Sequence, residues 1–152
     1  ALGAQIVLRG KSGMRTLALE DFFIEYKKQD RKPGEFLEKI IVPAKTKNTL
    51  FKAYKVSKRF DQDISAVCAA FALEMEDGKI KSARIAYGGM AGTPKRATAT
   101  EKELTNRSWD TETLGKAIAL IDQDYKPLTD VRASAEYRSV VAKNLLRRFY
   151  LD

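Results

Sequence analysis

Three stretches of this sequence carry residue types that could do chemistry. The first, Lys55-Val56-Ser57-Lys58-Arg59-Phe60-Asp61-Gln62-Asp63, gathers three cations and two carboxylates around one aromatic ring. A loop of this make-up can present a lysine on a buried stem and an Arg–Asp pair to a ligand, although a solvated surface loop has the same composition. Asp61 and Asp63 have no further oxygen ligands close in sequence, so they do not imply a metal site. The second stretch, Gly88-Gly89-Met90-Ala91-Gly92-Thr93-Pro94, has the glycine content of a phosphate-cradling loop. It fits neither the dinucleotide fingerprint nor the P-loop pattern, and Lys95 arrives out of register. A tight turn that needs glycine for positive φ or close packing accounts for it better. The third is Cys68, which lies on the face of its strand opposite Val67 and Phe71, is flanked by alanines, and reads as a small core residue rather than a nucleophile.

What is missing narrows the chemistry further. The chain has no histidine and one cysteine. That removes Ser-His-Asp and Cys-His nucleophilic systems, internal disulfides, a typical structural zinc site and ligation of an iron–sulfur cluster by four cysteines of this chain. Any reaction here is carboxylate-based or borrowed from a cofactor.

These residues must be held by the elements around them. Gln5–Arg9 and Met14–Leu17 flank Lys11-Ser12-Gly13 and read as a hairpin, Leu19–Phe23 as one helical turn, and Tyr26–Gly34 as a loop. Phe36–Val42 reads as a strand closed by Pro43, and Leu50–Ser57 as another, with Phe51, Ala53 and Lys55 on one side and Lys52, Tyr54 and Val56 on the other. The clearest pairing is Ala66–Met75 with Ile80–Tyr87, joined by Glu76-Asp77-Gly78 and placing Val67, Ala69, Phe71, Leu73 and Met75 on one face. Helical spacing takes over at Ala97–Leu104 and Thr111–Asp124, where Leu114, Ile118 and Ile121 form a stripe. A last helix begins at Ser134 as N-cap, with Tyr137, Val141, Leu145 and Phe149 as its apolar stripe, widened by Val140. Trp109 reads as a packing anchor between helices. Of Arg132 and Arg138, which bracket the last helix's start, one anchors the preceding turn. Strands followed by helices predict an α+β fold, an antiparallel β-sheet of three to four strands packed with C-terminal helices.

At 152 residues the chain has room for one domain, or one domain and part of another. Nothing in it reads as a secretory signal or a membrane span, which predicts a cytoplasmic protein with no membrane partner. The formal net charge of +8 is concentrated early: residues 1–60 hold 14 Lys and Arg against 6 Asp and Glu, and residues 61–152 hold 14 of each. Such an excess marks a solvated face, an acidic partner, an anionic cofactor or a nucleic acid; without an interleaved aromatic-and-basic motif, nucleic acid is the weakest of these.

Four blocks, PGEFLEKIIVP (33–43), KAYKVSKRFDQDISAV (52–67), ARIAYGGMAGTPKRA (83–97) and DVRASAEYRSVVAKNLLRRF (130–149), together resemble the C-terminal part of the FAD-binding subunit of xanthine dehydrogenases and related molybdenum hydroxylases, and of the carbon monoxide dehydrogenase flavoprotein. The opening ALGAQIVLRGKSGMRTLALEDFF is similar to the last hairpin of the family's preceding FAD-binding subdomain. The resemblance therefore implies two parts, a remnant of that subdomain over 1–23 and a flavoprotein C-terminal domain over 24–152. The family's glycine-rich segments for the FAD pyrophosphate lie upstream of the resembling region.

Carried over residue by residue, the resemblance places Leu37 against the isoalloxazine, Lys55 in contact with the flavin, and the loop of Arg59, Asp61 and Gln62 beside the ring. An apolar side chain would support the flat ring, and a cation at its N1–O2 edge would stabilise the negative charge gained on reduction. Gln62 stands where some animal members carry an acid, so the choice of NAD+ or oxygen as acceptor does not carry over. The family moves electrons from a purine at a molybdenum centre through 2Fe–2S clusters to FAD and on to NAD+. This chain would bind neither the molybdopterin nor the clusters; its partners would be the upstream FAD-binding subdomain and the iron–sulfur and molybdenum modules, and it would be inactive alone. Two other readings stay open: a basic α+β module for an acidic protein or nucleic acid, and an architectural domain whose helices form a dimer contact.

Overall fold

The structure, a computed structural model describing residues 1–152, runs through β1 (Gln5–Gly10), β2 (Gly13–Ala18), α1 (Leu19–Phe22), β3 (Phe23–Glu25), β4 (Lys28–Gln29), β5 (Phe36–Ile41), β6 (Thr49–Val56), β7 (Val67–Glu76), β8 (Lys79–Gly88), β9 (Lys95–Arg96), α2 (Thr98–Leu104), α3 (Thr111–Asp124) and α4 (Ala135–Leu151). The strands form a three-stranded sheet in the order β2-β1-β5, a β3-β4 ribbon and a four-stranded sheet in the order β6-β7-β8-β9, every pair antiparallel. The fold is α+β, as expected.

The β7–β8 hairpin organises the larger sheet. Asp77 and Gly78 both adopt positive φ, the conformation that twists a two-residue turn to match its strands. Alternation then sends Val67, Ala69, Phe71 and Leu73 to one face, all buried, together with Ala83, Ile85 and Tyr87 of β8. The helices cover that face. Phe71 stacks on Phe149 at 5.1 Å between ring centroids and meets Tyr87 edge-on at 5.6 Å. The Tyr87 hydroxyl donates to the Ala142 carbonyl of α4 at 2.9 Å. Trp109 packs on Phe149 and Tyr150, the anchoring role read for it in the sequence.

The helix ends are closed by side chains. Asp110 accepts from the Thr113 amide and Ser134 from the Tyr137 amide, each as N-cap. Asp124, at the end of α3, accepts from the Ala99 and Thr100 amides and so caps the start of α2.

Several local readings change. The 26–34 loop contains β4, and β9 adds a short edge beside β8. The stripe of α4 is Arg138, Ala142, Leu145, Leu146 and Phe149, while Tyr137 and Val140 are about half exposed. Steps of four residues drift about 40° around a helix of 3.6 residues per turn, so Tyr137 and Phe149 cannot share one face. Cys68 is exposed, not in the core, because its face of β7 is the one the helices do not cover.

Candidate functional site

The face turned away from the helices is built from small side chains. Lys55, Cys68 and Gly88 lie in one row across β6, β7 and β8; Ala53, Ala70, Ala86 and Arg96 form the next, and Phe51, Ala72 and Arg84 the third. Strand alternation fixes these rows, since residues paired across a ladder point to the same side. Alanine, cysteine and glycine leave the backbone nearly bare here.

Part of the smaller sheet unit lies over this face and leaves a cleft of about 660 Å³. Leu19, Phe23, Ile40 and Val42 line it from the smaller unit, and Phe51, Ala70 and Ala86 from the larger. Glu20 joins the two walls. It pairs with Arg84 and, at 2.9 Å, with Arg96, whose guanidinium also forks onto Glu101 through Nε at 2.9 Å and Nη2 at 2.6 Å. Glu101 is buried and further accepts the Ile85 amide at 2.7 Å, which fixes Arg96 on the larger sheet. Partial burial alone would raise the Glu20 carboxyl, but Arg96 and Arg84 together hold it below the usual carboxylate range. The cleft offers apolar walls, a cation-rich rim and no free carboxylate or histidine, which suits binding and orientation rather than proton transfer.

None of the five residues singled out in the sequence lines the cleft. Lys55 is exposed in the row beside Cys68, on the cleft's face of the sheet, and makes no ion pair or side-chain hydrogen bond. Leu37, 41% exposed, is paired with the buried Leu8 on the smaller sheet. Arg59, Asp61 and Gln62 share the loop that leaves β6 and enters β7. There the Arg59 amide donates to Asp63 Oδ2 at 2.9 Å, the Arg59 guanidinium reaches Asp63 at 3.4 Å, and Asp61 accepts the Gln62 amide at 2.8 Å, with Gln62 at positive φ. The structure thus brings the three loop residues together, sets Lys55 at their root, and keeps Leu37 on a separate sheet.

The glycine-rich stretch is a turn. Gly89 has φ of +81°, and a side chain there would collide with the Ala66 carbonyl. Glu20, Arg84, Arg96, Ile40 and Val42 were not read as site residues. The Glu20 pairs span 64 and 76 positions, beyond the reach of local pattern. No three metal-ligating side chains cluster anywhere, and no helix is long and apolar enough to cross a membrane.

Residues 52–152 match the CO dehydrogenase flavoprotein C-terminal domain, and residues 1–45 the FAD binding domain in molybdopterin dehydrogenase. The carbon monoxide dehydrogenase medium chain of Afipia carboxidovorans is 35% identical over 147 residues, covering 97% of this chain and 51% of that protein. Xanthine dehydrogenase of Oryza sativa is 31% identical over 145 residues, 92% of this chain and 11% of the enzyme. Among solved structures, the Cu,Mo-CO dehydrogenase superposes with a TM-score of 0.88 at 33% identity, over 97% of this chain and 51% of the matched one. The carbon monoxide dehydrogenase of Hydrogenophaga pseudoflava gives 0.91 at 26% identity over the same shares. The chain therefore spans about half of the medium-chain relatives and about a tenth of the xanthine dehydrogenase.

Proposed function

The chain belongs to the CO dehydrogenase flavoprotein C-terminal domain family, and from that premise we propose that it forms one wall of a FAD site in the flavoprotein part of a molybdenum hydroxylase. The observation that carries the reading is the helix-free face of the larger sheet, open at Lys55 and Cys68 and roofed in part by the smaller unit over Ala70 and Ala86. An unpaired ammonium at Lys55 stands there beside Cys68 and the row of Ala53, Ala70 and Ala86, while the opposite face is closed by helices. Small side chains admit a flat ring to close approach, and a lone cation suits a group that gains negative charge. The residues fit a flavin on both counts.

Leu37 and Lys55 would hold the ring, one by apolar support and one by charge, and Arg59, Asp61 and Gln62 would border it. A bound flavin supplies two-electron redox chemistry that no side chain of this protein can perform. The protein's own contribution is to orient the ring, to exclude water from its apolar side and to keep a positive charge at its edge. Within this reading residues 1–23 end the FAD-binding part and 24–152 form the C-terminal domain; the pairing of β5 with β1 favours counting 36–41 with the first part. The partners would be the preceding FAD-binding segment and the iron–sulfur and molybdenum modules, the electrons would pass to NAD+ as in a xanthine dehydrogenase acting on a purine, and the enzyme would be cytoplasmic.

The test is a pair of substitutions in the full-length flavoprotein. Lys55→Ala and Leu37→Ala should each weaken FAD binding by about tenfold, the scale of one charge-assisted contact or one buried apolar side chain. Unchanged affinity in both would overturn the reading. The polyanion alternative predicts instead a steep loss of nucleic-acid affinity with salt. Pairing of Arg9 with Glu38, Arg15 with Glu35 and Lys28 with Glu25 already neutralises part of the early basic excess.

A further inference from the structure

We propose that Arg138 is the positioning residue of the 57–66 loop, fixing where that loop stands relative to Lys55 and the uncovered sheet face; the proposal rests on the flavin reading of that face. Arg138 is 3% exposed, a rare burial for arginine, which must be matched by acceptors. Its Nη1 donates to the carbonyls of Ala66 and, at 2.8 Å, Gly89, and its Nη2 donates to Asp130 Oδ1 at 2.6 Å. Nε is left without a partner. One guanidinium thus ties α4 to the start of β7, to the turn after β8 and to the segment before α4.

The Ala66 carbonyl is the centre of this arrangement. Gly89 approaches it from one side so closely that no side chain fits there, and Arg138 holds it by charge. The Ala66 amide donates to the Val56 carbonyl at 2.8 Å, closing the loop at its base. Asp130, the carboxylate partner, also accepts the Arg132 and Ala133 amides. Those two amides first and Arg138 after them hold its carboxyl below the usual range, so the charge pair is intact across the neutral range.

The loop has little else to hold it in place. Phe60 is wholly exposed and Ile64 is 64% exposed, so neither large apolar side chain anchors it to the core, and only Ala66 at its end is buried. The contacts among Ser57, Arg59, Asp61, Gln62 and Asp63 set its shape but bind it to nothing outside itself. Outside anchors are the Ala66 contacts and one hydrogen bond from Lys58 Nζ to the Val131 carbonyl at 2.8 Å. Since Val131 is next to Asp130, this anchor too depends on the segment that Arg138 organises. The position of Arg59, Asp61 and Gln62 is therefore set by a residue more than seventy positions away.

The test uses the full-length flavoprotein with Arg138→Lys, Arg138→Met and Gly89→Ala, the last adding a methyl that would meet both the same carbonyl and the Arg138 guanidinium. Native-state cleavage by trypsin after Lys58 and Arg59 reports the loop directly, and FAD affinity reports its effect on the site. Arg138→Met and Gly89→Ala should speed cleavage at these two bonds by about tenfold, with FAD affinity falling in parallel, and Arg138→Lys should recover part of both. Leu146→Ala, a core variant of α4, should lower the melting temperature without selective cleavage there. If Arg138→Met does not fold, Arg138→Lys and Gly89→Ala carry the test. Unchanged cleavage after Lys58 and Arg59 in both of those, or the same cleavage in Leu146→Ala, would overturn the proposal. Faster cleavage in a protein whose wild type binds no FAD would support the positioning role and refute the flavin reading instead.

Discussion

Lys55 of β6 and Cys68 of β7 face each other across the antiparallel ladder, and both side chains leave the sheet on the side that no helix covers. The pairing gives the uncovered face a built-in reporter. Cys68 should react with a maleimide in the native protein about as fast as in the unfolded one, and bound FAD should slow the reaction at least severalfold. A native-state thiol that resists labelling would mean this face is closed.

Glu20 should act as the clasp between the two sheet units. Glu20→Gln gives up ion pairs to Arg84 and Arg96 that are only partly buried, so the loss is about 0.5–1 kcal/mol for each rather than the value of a dry pair. The expected signature is local: faster hydrogen exchange or proteolysis in the 42–48 connection, with the amides of β7 and β8 unchanged. A uniform fall in protection would show that Glu20 supports the whole fold instead.

Low pH should loosen the smaller unit through Glu35. The Arg15 guanidinium, assisted by the Lys32 amide, brings the Glu35 carboxyl down to about 2. A carboxyl depressed on folding adds stability that is present above its unfolded value, near 4.3, and is lost as pH falls through the folded value. Glu35→Gln should therefore be the less stable protein at pH 7, and the gap should close between pH 4 and pH 2 in an acid-unfolding series followed by circular dichroism. A gap that stays constant over that range would contradict the pairing.

The phase of α4 predicts a contrast between neighbouring positions. Leu146 is fully buried and Val140 about half exposed. Leu146→Ala should cost about 2–5 kcal/mol, as truncations of buried leucine do. Val140→Ala should stay within about 0.5 kcal/mol. Equal losses in a denaturant titration would restore the stripe that runs through Val140.

Much of this molecule was legible because local chemistry decided it. Asp77-Gly78 and the alternation from Val67 to Leu73 make a hairpin with one buried face whatever surrounds it, and Ser134 caps its helix through a bond to the residue three positions on. Cys68 failed because Val67-Cys68-Ala69-Ala70-Phe71 is apolar on both sides, and only the tertiary arrangement says which side is covered. The α4 stripe held at Leu145, Phe149 and in part Val141, but its phase drifted at Tyr137 and Val140, because Arg138 is buried by acceptors from Ala66, Gly89 and Asp130 and its polarity hid that side of the helix. The candidate site was legible only in part. Lys55, Leu37 and the Arg59–Gln62 loop came from resemblance, whereas the clasp of Glu20, Arg84 and Arg96 joins distant segments and has no signature in the sequence.

The most direct measurement is a flavin titration of this chain, alone and together with the FAD-binding segment that precedes the matching region in its relatives, followed by flavin absorbance and fluorescence quenching. The mixture should bind FAD, about tenfold more weakly with Lys55→Ala, and the chain alone should bind little or none. A mixture of folded parts that binds no FAD, or binds it equally with and without Lys55, would contradict the claim that this face is half of a flavin site.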